Sequence, residues 1–492
     1  MAIEMSPLSV FVSIAASFIL LRYLLRNINW WLHVSKLGAK QHSLPPGDLG
    51  WPLIGNMWPF LRAFKSADPD SFAESYISKY GKTGIYKVYM FGKPSVIVTT
   101  PEGCKKVLTD DENFTPGWPA TTLELMGRKS FVQIPYEDHR RLRRLTSASV
   151  NGYEALSIYI TFIEETVKTS LDNWTKMGEI EFLTEMRRLT FKVITHIFFG
   201  ATNANVREGL EKHYTALNKG VRAMKIDLPG FAFHEALKAR KKLVAIFQSV
   251  VDQRRAERKG RVASVGKKHK DMMDSLMDAV DDNGQSLDDE TIIDIMLMYL
   301  NAGHESSGHI TTWAAYYLQK HPEYLQKARE EQQEILRKRP PTQKGLVLEE
   351  VRKMDFLSKV VDETLRLVTF SPMVYRRALN DVNINGYLIP KDWIAITWFR
   401  NVHYDNDIYP NPREFNPYRW DITRKAGEFL PFGAGTRLCP GNDLAKLEIS
   451  VFLHHFVMHY KLEPSNPNCA IRHLPHTRPK DNCLARIKKI SA

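Results

Sequence analysis

From about Pro101 to about Arg366 apolar residues recur at three- and four-residue spacing, most continuously from Asp289 to Gln319, which predicts long helices with one buried face. Earlier, Ile85-Tyr86-Lys87-Val88-Tyr89-Met90 and Ser95-Val96-Ile97-Val98 are short β-like runs punctuated by Gly92 and Pro94, so a small sheet is expected near the start. After Asp381 turn signals return at Asn385-Gly386 and Ile389-Pro390-Lys391-Asp392, beside the strand-like Ile394-Ala395-Ile396-Thr397. The pattern predicts a mainly α fold with small β-sheets at both ends of the chain, and no internal repeat.

The first segment is different in kind. Ser6 to Leu21 is uncharged and mainly apolar, and it continues past Arg22 into Tyr23-Leu24-Leu25. Spanning a bilayer takes about 17–25 residues, a length this stretch reaches if Arg22 snorkels. A cleaved signal, a buried core helix and a retained anchor all fit the length. Charge separates them: Glu4 precedes the stretch, whereas Arg22, Arg26, Lys36 and Lys40 follow it, which places the bulk of the chain in the cytoplasm. Trp30 and Trp31 suit the interface. We expect a transmembrane anchor over residues 1–25, a basic, proline-rich hinge over 26–50, and a folded domain over 51–492. The prolines of Leu44-Pro45-Pro46-Gly47 and Trp51-Pro52 favour stiff extended chain in that region.

With 43% hydrophobic and 25% charged residues, the 492-residue chain is globular, and its length allows two domains or one large helical one. A net charge of +13 suits a membrane surface, an acidic partner or nucleic acid, but no nucleic-acid-binding signature accompanies it. The basic tract from Arg254 to Lys270 reads as a solvated loop or a binding patch, and the apolar loop Leu228-Pro229-Gly230-Phe231-Ala232-Phe233 as buried or membrane-dipping. Cys104, Cys439, Cys469 and Cys483 form no C-x-x-C pair, against structural zinc and against a disulfide framework.

The informative cysteine lies in Phe432-Gly433-Ala434-Gly435-Thr436-Arg437-Leu438-Cys439-Pro440-Gly441. Its glycine spacing is not a dinucleotide fingerprint, because Leu438 stands where the third glycine belongs. The segment resembles the F-x-x-G-x-R-x-C-x-G haem-binding signature of cytochromes P450, with every constant position matched. That resemblance implies the cytochrome P450 fold, haem b held through a Cys439 thiolate, a propionate contact from Arg437, and Phe432, Gly435 and Gly441 shaping a tight turn close to the porphyrin. Three further segments agree with it. Glu363-Thr364-Leu365-Arg366 matches E-x-x-R, whose i and i+3 members share a helix face, and Phe415-Asn416-Pro417-Tyr418-Arg419-Trp420 resembles the segment that supplies Arg419 to a Glu363–Arg366–Arg419 structural network. Ala302-Gly303-His304-Glu305-Ser306-Ser307 resembles the oxygen-binding segment: Ala302 and Gly303 leave room beside the cofactor, Ser306 donates a hydrogen bond and Glu305 relays protons, with serine where threonine is commonest. The His139–Arg144 helix resembles one in which Arg143 meets a propionate; His139 replaces a tryptophan, and Arg376 joins the expected cofactor-binding set.

Across essentially the full chain, Leu44–Pro52, Asn301–His309 and Leu474-Pro475-His476-Thr477-Arg478-Pro479 look like the plant ent-kaurenoic acid oxidases. The resemblance implies multistep oxidation of ent-kaurenoic acid toward a gibberellin precursor, with O2 and with NADPH electrons from a membrane-bound flavoprotein reductase. It also implies a single-pass protein of the endoplasmic reticulum membrane facing the cytosol. Arg140, Arg141, Arg144 and Lys446 are candidates for the reductase face, and His476 or Arg478 for meeting a substrate carboxylate. Ser371-Pro372-Met373-Val374-Tyr375-Arg376-Arg377-Ala378 departs from the family's S-x-x-x-F-R-E-A, which keeps oxidation of a triterpenoid open as a second reading. A P450-like isomerase or a non-catalytic haem protein fits the Glu305-Ser306 pair less well.

Overall fold

The computed structural model describes residues 7–66, 68–200, 204–221, 223–259, 271–281 and 284–490. The chain divides into two compact units, one formed by Met1–Gly117 with Met373–Val402 and the other by Trp118–Pro372 with His403–Ala492. Helices dominate and the strands are short, as the periodicity predicts.

In the first unit the apolar segment forms a helix over Pro7–His33, longer than the anchor expected from hydropathy. The stretch Phe11–His33 is long and apolar enough to cross a membrane, and most of its described large apolar side chains, Phe11, Phe18 and Trp31 among them, are exposed. Asn29 is the buried exception. Its amide donates to Leu49 O at 2.9 Å and Trp51 O at 2.7 Å, tying the helix end to the proline-rich segment. That segment is extended, and Lys87 N donates to Pro46 O. Gly47 has φ +137°, and a Cβ there would lie 2.2 Å from Lys87 O, so only glycine allows this approach.

The sheet of this unit has five strands in the order Ile85–Met90, Lys93–Val98, Ile394–Trp398, Met373–Ala378 and Phe114–Pro116. Lys93–Val98 runs parallel to Ile394–Trp398, and the other pairings are antiparallel. Pro94, which lacks a backbone donor, sits near the start of its strand. Arg400 closes the unit with a buried bidentate pair to Asp70, at 2.5 and 3.1 Å.

The second unit carries one continuous apolar core, running from Leu125 to Ile487 in sequence. Its central helix, Asp289–Lys320, is capped by Asp288, whose carboxylate accepts from Thr291 N, and it is buried over most of its length. On one side it packs against the Phe182–Phe199 helix, where Thr190 Oγ1 donates to His304 O at 2.8 Å. On another it meets the Asn442–His459 helix that follows Cys439. A three-stranded sheet (Glu179–Glu181, Leu484–Lys489, Tyr460–Pro464) and a hairpin of Ile471–Arg472 with Arg478–Pro479 complete the unit. Of the basic tract, Arg254 to Lys259 ends a helix in which Arg254 is bound by Asp271, while its remainder, Arg261 to Lys270, lies outside the described residues.

Asp70→Ala removes the carboxylate from a buried guanidinium and is expected to destabilise the protein by about 3–5 kcal/mol. Urea denaturation should show a lowered midpoint with an unchanged m-value.

Candidate functional site

Cys439 stands in a loop folded by its own backbone. Gly433 N donates to Leu430 O at 3.1 Å, Leu438 N to Gly435 O at 3.1 Å, and Cys439 N to Phe432 O at 2.9 Å. Gly433 and Gly435 adopt φ of +77° and +74°, a region that favours glycine. Gly441, with φ −104°, closes the turn after Cys439 and is the N-cap of the next helix. A Cβ at Gly433 or Gly441 would meet no atom within 4 Å, so open space adjoins the loop at both. Two arginines bracket the cysteine. Arg143 Nη2 donates to Leu438 O at 2.8 Å, while Arg437 reaches Phe131 O at 3.3 Å and Ile134 O at 3.2 Å. Burial pushes the Cys439 thiol up, and the Gly441 N–H and the Arg143 charge pull the other way without cancelling it.

The helix above this loop sorts its residues by face. Ala302 is exposed and Ser306 half-buried, in a helix otherwise closed over Thr291–Leu300 and Ser307–Ala315. Ser306 Oγ donates to Ala302 O at 3.1 Å. Tyr299, three residues before Ala302 on the same face, lies within electrostatic reach of Cys439 and contacts Thr146 Oγ1 at 3.2 Å. The accessible face therefore looks toward the cysteine. Gly303 points elsewhere: a Cβ there would lie 3.1 Å from Ile194, so its smallness serves helix packing as well as space.

Glu305 is buried and paired with Arg187, and its other oxygen lies 3.7 Å from His476 Nε2. Burial alone raises a carboxyl, but Arg187 and the nearby histidines outweigh it, and the Glu305 pKa ends below its ordinary value. Arg187 had no motif to announce it. Nor did Glu448, which burial pushes up to about 8 and whose partner is the Ser307 hydroxyl. Ser307 Oγ also donates to Gly303 O at 3.3 Å, which uses its single hydrogen, so a neutral Glu448 donating to Ser307 satisfies both groups. One acid inside the apolar run Leu447–Val457 is the signal that could have found it.

Behind the loop lies the Glu363 network. Arg366 Nε and Nη2 donate to the two Glu363 oxygens at 2.9 and 2.8 Å, with neither residue exposed. Arg419 Nε, Trp420 Nε1 and Asn416 N donate to the same carboxylate at 3.3, 3.2 and 3.0 Å. The remaining Arg366 donors go to the carbonyls of His403, Pro412 and Glu414. His403 Nε2 in turn accepts from Leu430 N at 3.0 Å, and Leu430 O holds Gly433. A continuous set of hydrogen bonds thus runs from Glu363 to the cysteine loop.

Other expected residues are placed as follows. His139 is buried edge-on to Phe131. Arg376 lies in the five-stranded sheet of the first unit, buried, with Nη1 donating to Tyr375 O. Met373 is buried in the same strand, and Tyr375 packs edge-on against Phe91. Arg140 and Arg144 are exposed, whereas Arg141 binds Asp281 at 2.6 Å and Lys446 binds Asp362 at 2.8 Å.

The chain matches the cytochrome P450 family over residues 45–481. It is 62% identical over 480 residues to ent-kaurenoic acid oxidase 2 of Arabidopsis thaliana, covering 97% of each chain. With the 7,8-epoxymelianol synthase CYP88A154 of Ailanthus altissima it shares 49% identity over 485 residues, 98% of this chain and 96% of that one. The solved cyanobacterial CYP120A1 with retinoic acid bound superposes with a TM-score of 0.79 at 25% identity, covering 91% of this chain and 99% of that chain. The family's cofactor is haem b, and the donor set fits it. A single soft sulfur stands in a loop with open space at Gly433 and Gly441, a metal cation would favour its thiolate, and Arg143 and Arg437 would offer charge to the group's two carboxylates.

Arg366→Ala leaves Glu363 buried without its main counter-charge; we expect a loss of about 3–5 kcal/mol. Denaturation should register that loss, and the reduced-CO spectrum should lose its haem-thiolate band. Glu448 ionises near 4.5 when unfolded but at about 8 in the folded chain, so it costs stability progressively as pH rises between those values. Glu448→Gln removes that penalty: its stability relative to the parent should climb across this window in pH-dependent melts, then level off.

Proposed function

The chain belongs to the cytochrome P450 family and is a haem-dependent monooxygenase drawing electrons from a redox partner; on that premise we propose that it oxidises ent-kaurenoic acid in successive steps toward a gibberellin precursor. The single observation that carries this reading is the 62% identity to the Arabidopsis oxidase over 97% of each chain. When bound, haem b activates dioxygen for insertion of one oxygen atom into a substrate C–H bond. The tasks left to the protein fall to the residues described above.

Cys439 would bind the haem iron through its sulfur, and Gly441 N–H with Arg143 would moderate the charge on that sulfur. Arg437, Arg143 and His139 would hold the propionates, while Phe432, Gly435, Gly441, Ala302 and Gly303 would shape the space. Ser306 presents its hydroxyl on the accessible face and Glu305, ionised beside Arg187, supplies the acid–base group. Adjacent residues of a helix point about 100° apart, so the two do not face each other directly. Proton movement from Glu305 toward Ser306 therefore needs a water or a side-chain rotation. Glu363, Arg366 and Arg419 keep the loop in place.

We place residues 1–25 in the endoplasmic reticulum membrane as a single-pass anchor, residues 26–50 as the hinge, and residues 51–492 in the cytosol as the catalytic domain. The apolar Phe11–His33 helix and the basic residues after it support that orientation. A membrane-bound flavoprotein reductase supplies NADPH-derived electrons, and exposed Arg140 and Arg144 are suited to an acidic docking face.

A triterpenoid substrate is the second reading, favoured by the 49% identity to the epoxymelianol synthase and by the Pro372–Tyr375 departure. Microsomes containing the protein, a reductase and NADPH decide between them. We expect turnover of ent-kaurenoic acid to oxidised diterpene acids; oxidation of a tetracyclic or pentacyclic triterpene with no turnover of the diterpene overturns the assignment.

A further inference from the structure

Beside the accessible face of the central helix lies a polar cluster, buried at Glu305 and open to solvent at Glu181 and Arg472, that the oxygen chemistry does not use up. Arg187 pairs with Glu305, yet its Nε is buried with no hydrogen-bond partner among the described residues. Arg478, half-buried in the Ile471–Arg472/Arg478–Pro479 hairpin, makes no side-chain hydrogen bond or ion pair among the described residues. It lies within electrostatic reach of Arg187, Glu305, Arg472 and Glu181. Burial pushes His304 and His309 down to about 4, so as neutral rings they add no further positive charge. Three arginines thus share two carboxylates, and Glu181 already accepts from Thr184 and Asn482.

The hairpin tip is held next to the accessible face. His476 stacks on Phe370 with ring centroids 3.7 Å apart and meets Phe370 O at 3.2 Å through Nδ1, and its other nitrogen lies 3.7 Å from Glu305. Trp313 Nε1 donates to Thr477 O at 2.9 Å. The stacking and the Nδ1 contact fix the His476 ring, while its Nε2 stands beyond hydrogen-bond distance of Glu305. Arg478, two residues on, makes no side-chain hydrogen bond among the described residues, and of the two only a guanidinium is charged at every working pH.

We propose that Arg478, assisted by Arg187, is the site that receives the substrate's carboxylate and thereby selects a terpenoid acid over its neutral analogues. The inference rests on the diterpene-acid reading above. A desolvated carboxylate is costly in an apolar site unless charge-assisted hydrogen bonds replace its water, and a guanidinium with open donors provides them in a planar, two-point geometry. Glu305 competes for the same cations, which keeps the arginines soluble in the interior when no substrate is bound.

The test is calorimetric binding of ent-kaurenoic acid and of its methyl ester to the full-length holoprotein. We expect the parent to prefer the acid, and Arg478→Gln to weaken acid binding about 10- to 100-fold, the range of one charge-assisted hydrogen bond, with ester binding unchanged. Unchanged ester affinity doubles as the check that the variant is folded. Glu305→Gln, which frees Arg187, should tighten the acid relative to the ester. Equal effects of Arg478→Gln on both ligands, or none on either, overturn the site while leaving the substrate reading standing. If Arg478→Gln fails to fold, an unchanged acid-to-ester ratio in Glu305→Gln overturns it instead. A parent that binds neither diterpene but binds a neutral triterpene removes the substrate reading, and this site with it.

Discussion

The buried pair of Glu363 and Arg366 is the constraint on which the site depends. Two opposite charges with no exposure to water are tolerable only when nearly every lone pair and N–H finds a partner. Meeting that demand draws in chain far away in sequence: Asn416, Arg419 and Trp420 for the carboxylate, and the carbonyls of His403, Pro412 and Glu414 for the guanidinium. The imidazole of His403 carries the order further. Because Nε2 accepts from Leu430 N, the proton sits on Nδ1, which donates to Thr369 Oγ1, and Thr369 donates to Arg366 O. The cysteine loop begins where that set of bonds ends, at Gly433.

The central helix solves a different problem, serving a packed core and an open site with one cylinder. One face takes Ile194 and Thr190, while another keeps Ala302 and Ser306 accessible. Ionised Glu305 sits on the flank between them, where Arg187 can reach it without crossing the open face. A carboxylate beside Ser306 with no arginine behind it would be pushed toward the neutral acid by burial. Glu448, which has only a serine, shows that outcome in the same protein.

How much of this was legible in sequence depends on the range of the interaction. Local signals were sufficient for the long helices, for the strand at Ile85–Met90 and the one at Ile394–Trp398, and for the E-x-x-R pair, whose partners lie one turn apart. The pairing of Phe114–Pro116 with Met373–Ala378 joins segments more than 250 residues apart and leaves no local trace. His403 and Arg187 were missed for the same reason. Each acts through a tertiary contact, and a lone histidine or arginine on a helix is ordinary in any sequence. Gly441 shows the signature's two expectations in one residue, a turn after Cys439 and room where a side chain would stand, although its φ of −104° needs no glycine.

Charge and shape bear differently on substrate choice. The relatives at 62% and 49% identity are named for a diterpene acid and for a triterpenoid epoxide, so shared sequence alone sets the chemistry and not the scaffold. Apolar lining discriminates weakly among rigid terpenoids, because one methylene is worth only about 1–3 kcal/mol. A carboxylate is another matter. A site for a neutral triterpenoid would do better to leave no guanidinium half-buried without an acceptor, since that desolvation costs free energy and returns nothing. Once the diterpene-acid reading is granted, Arg478, near Arg187 and Glu305 and with no side-chain partner among the described residues, is the group that can tell a carboxylate from a neutral end.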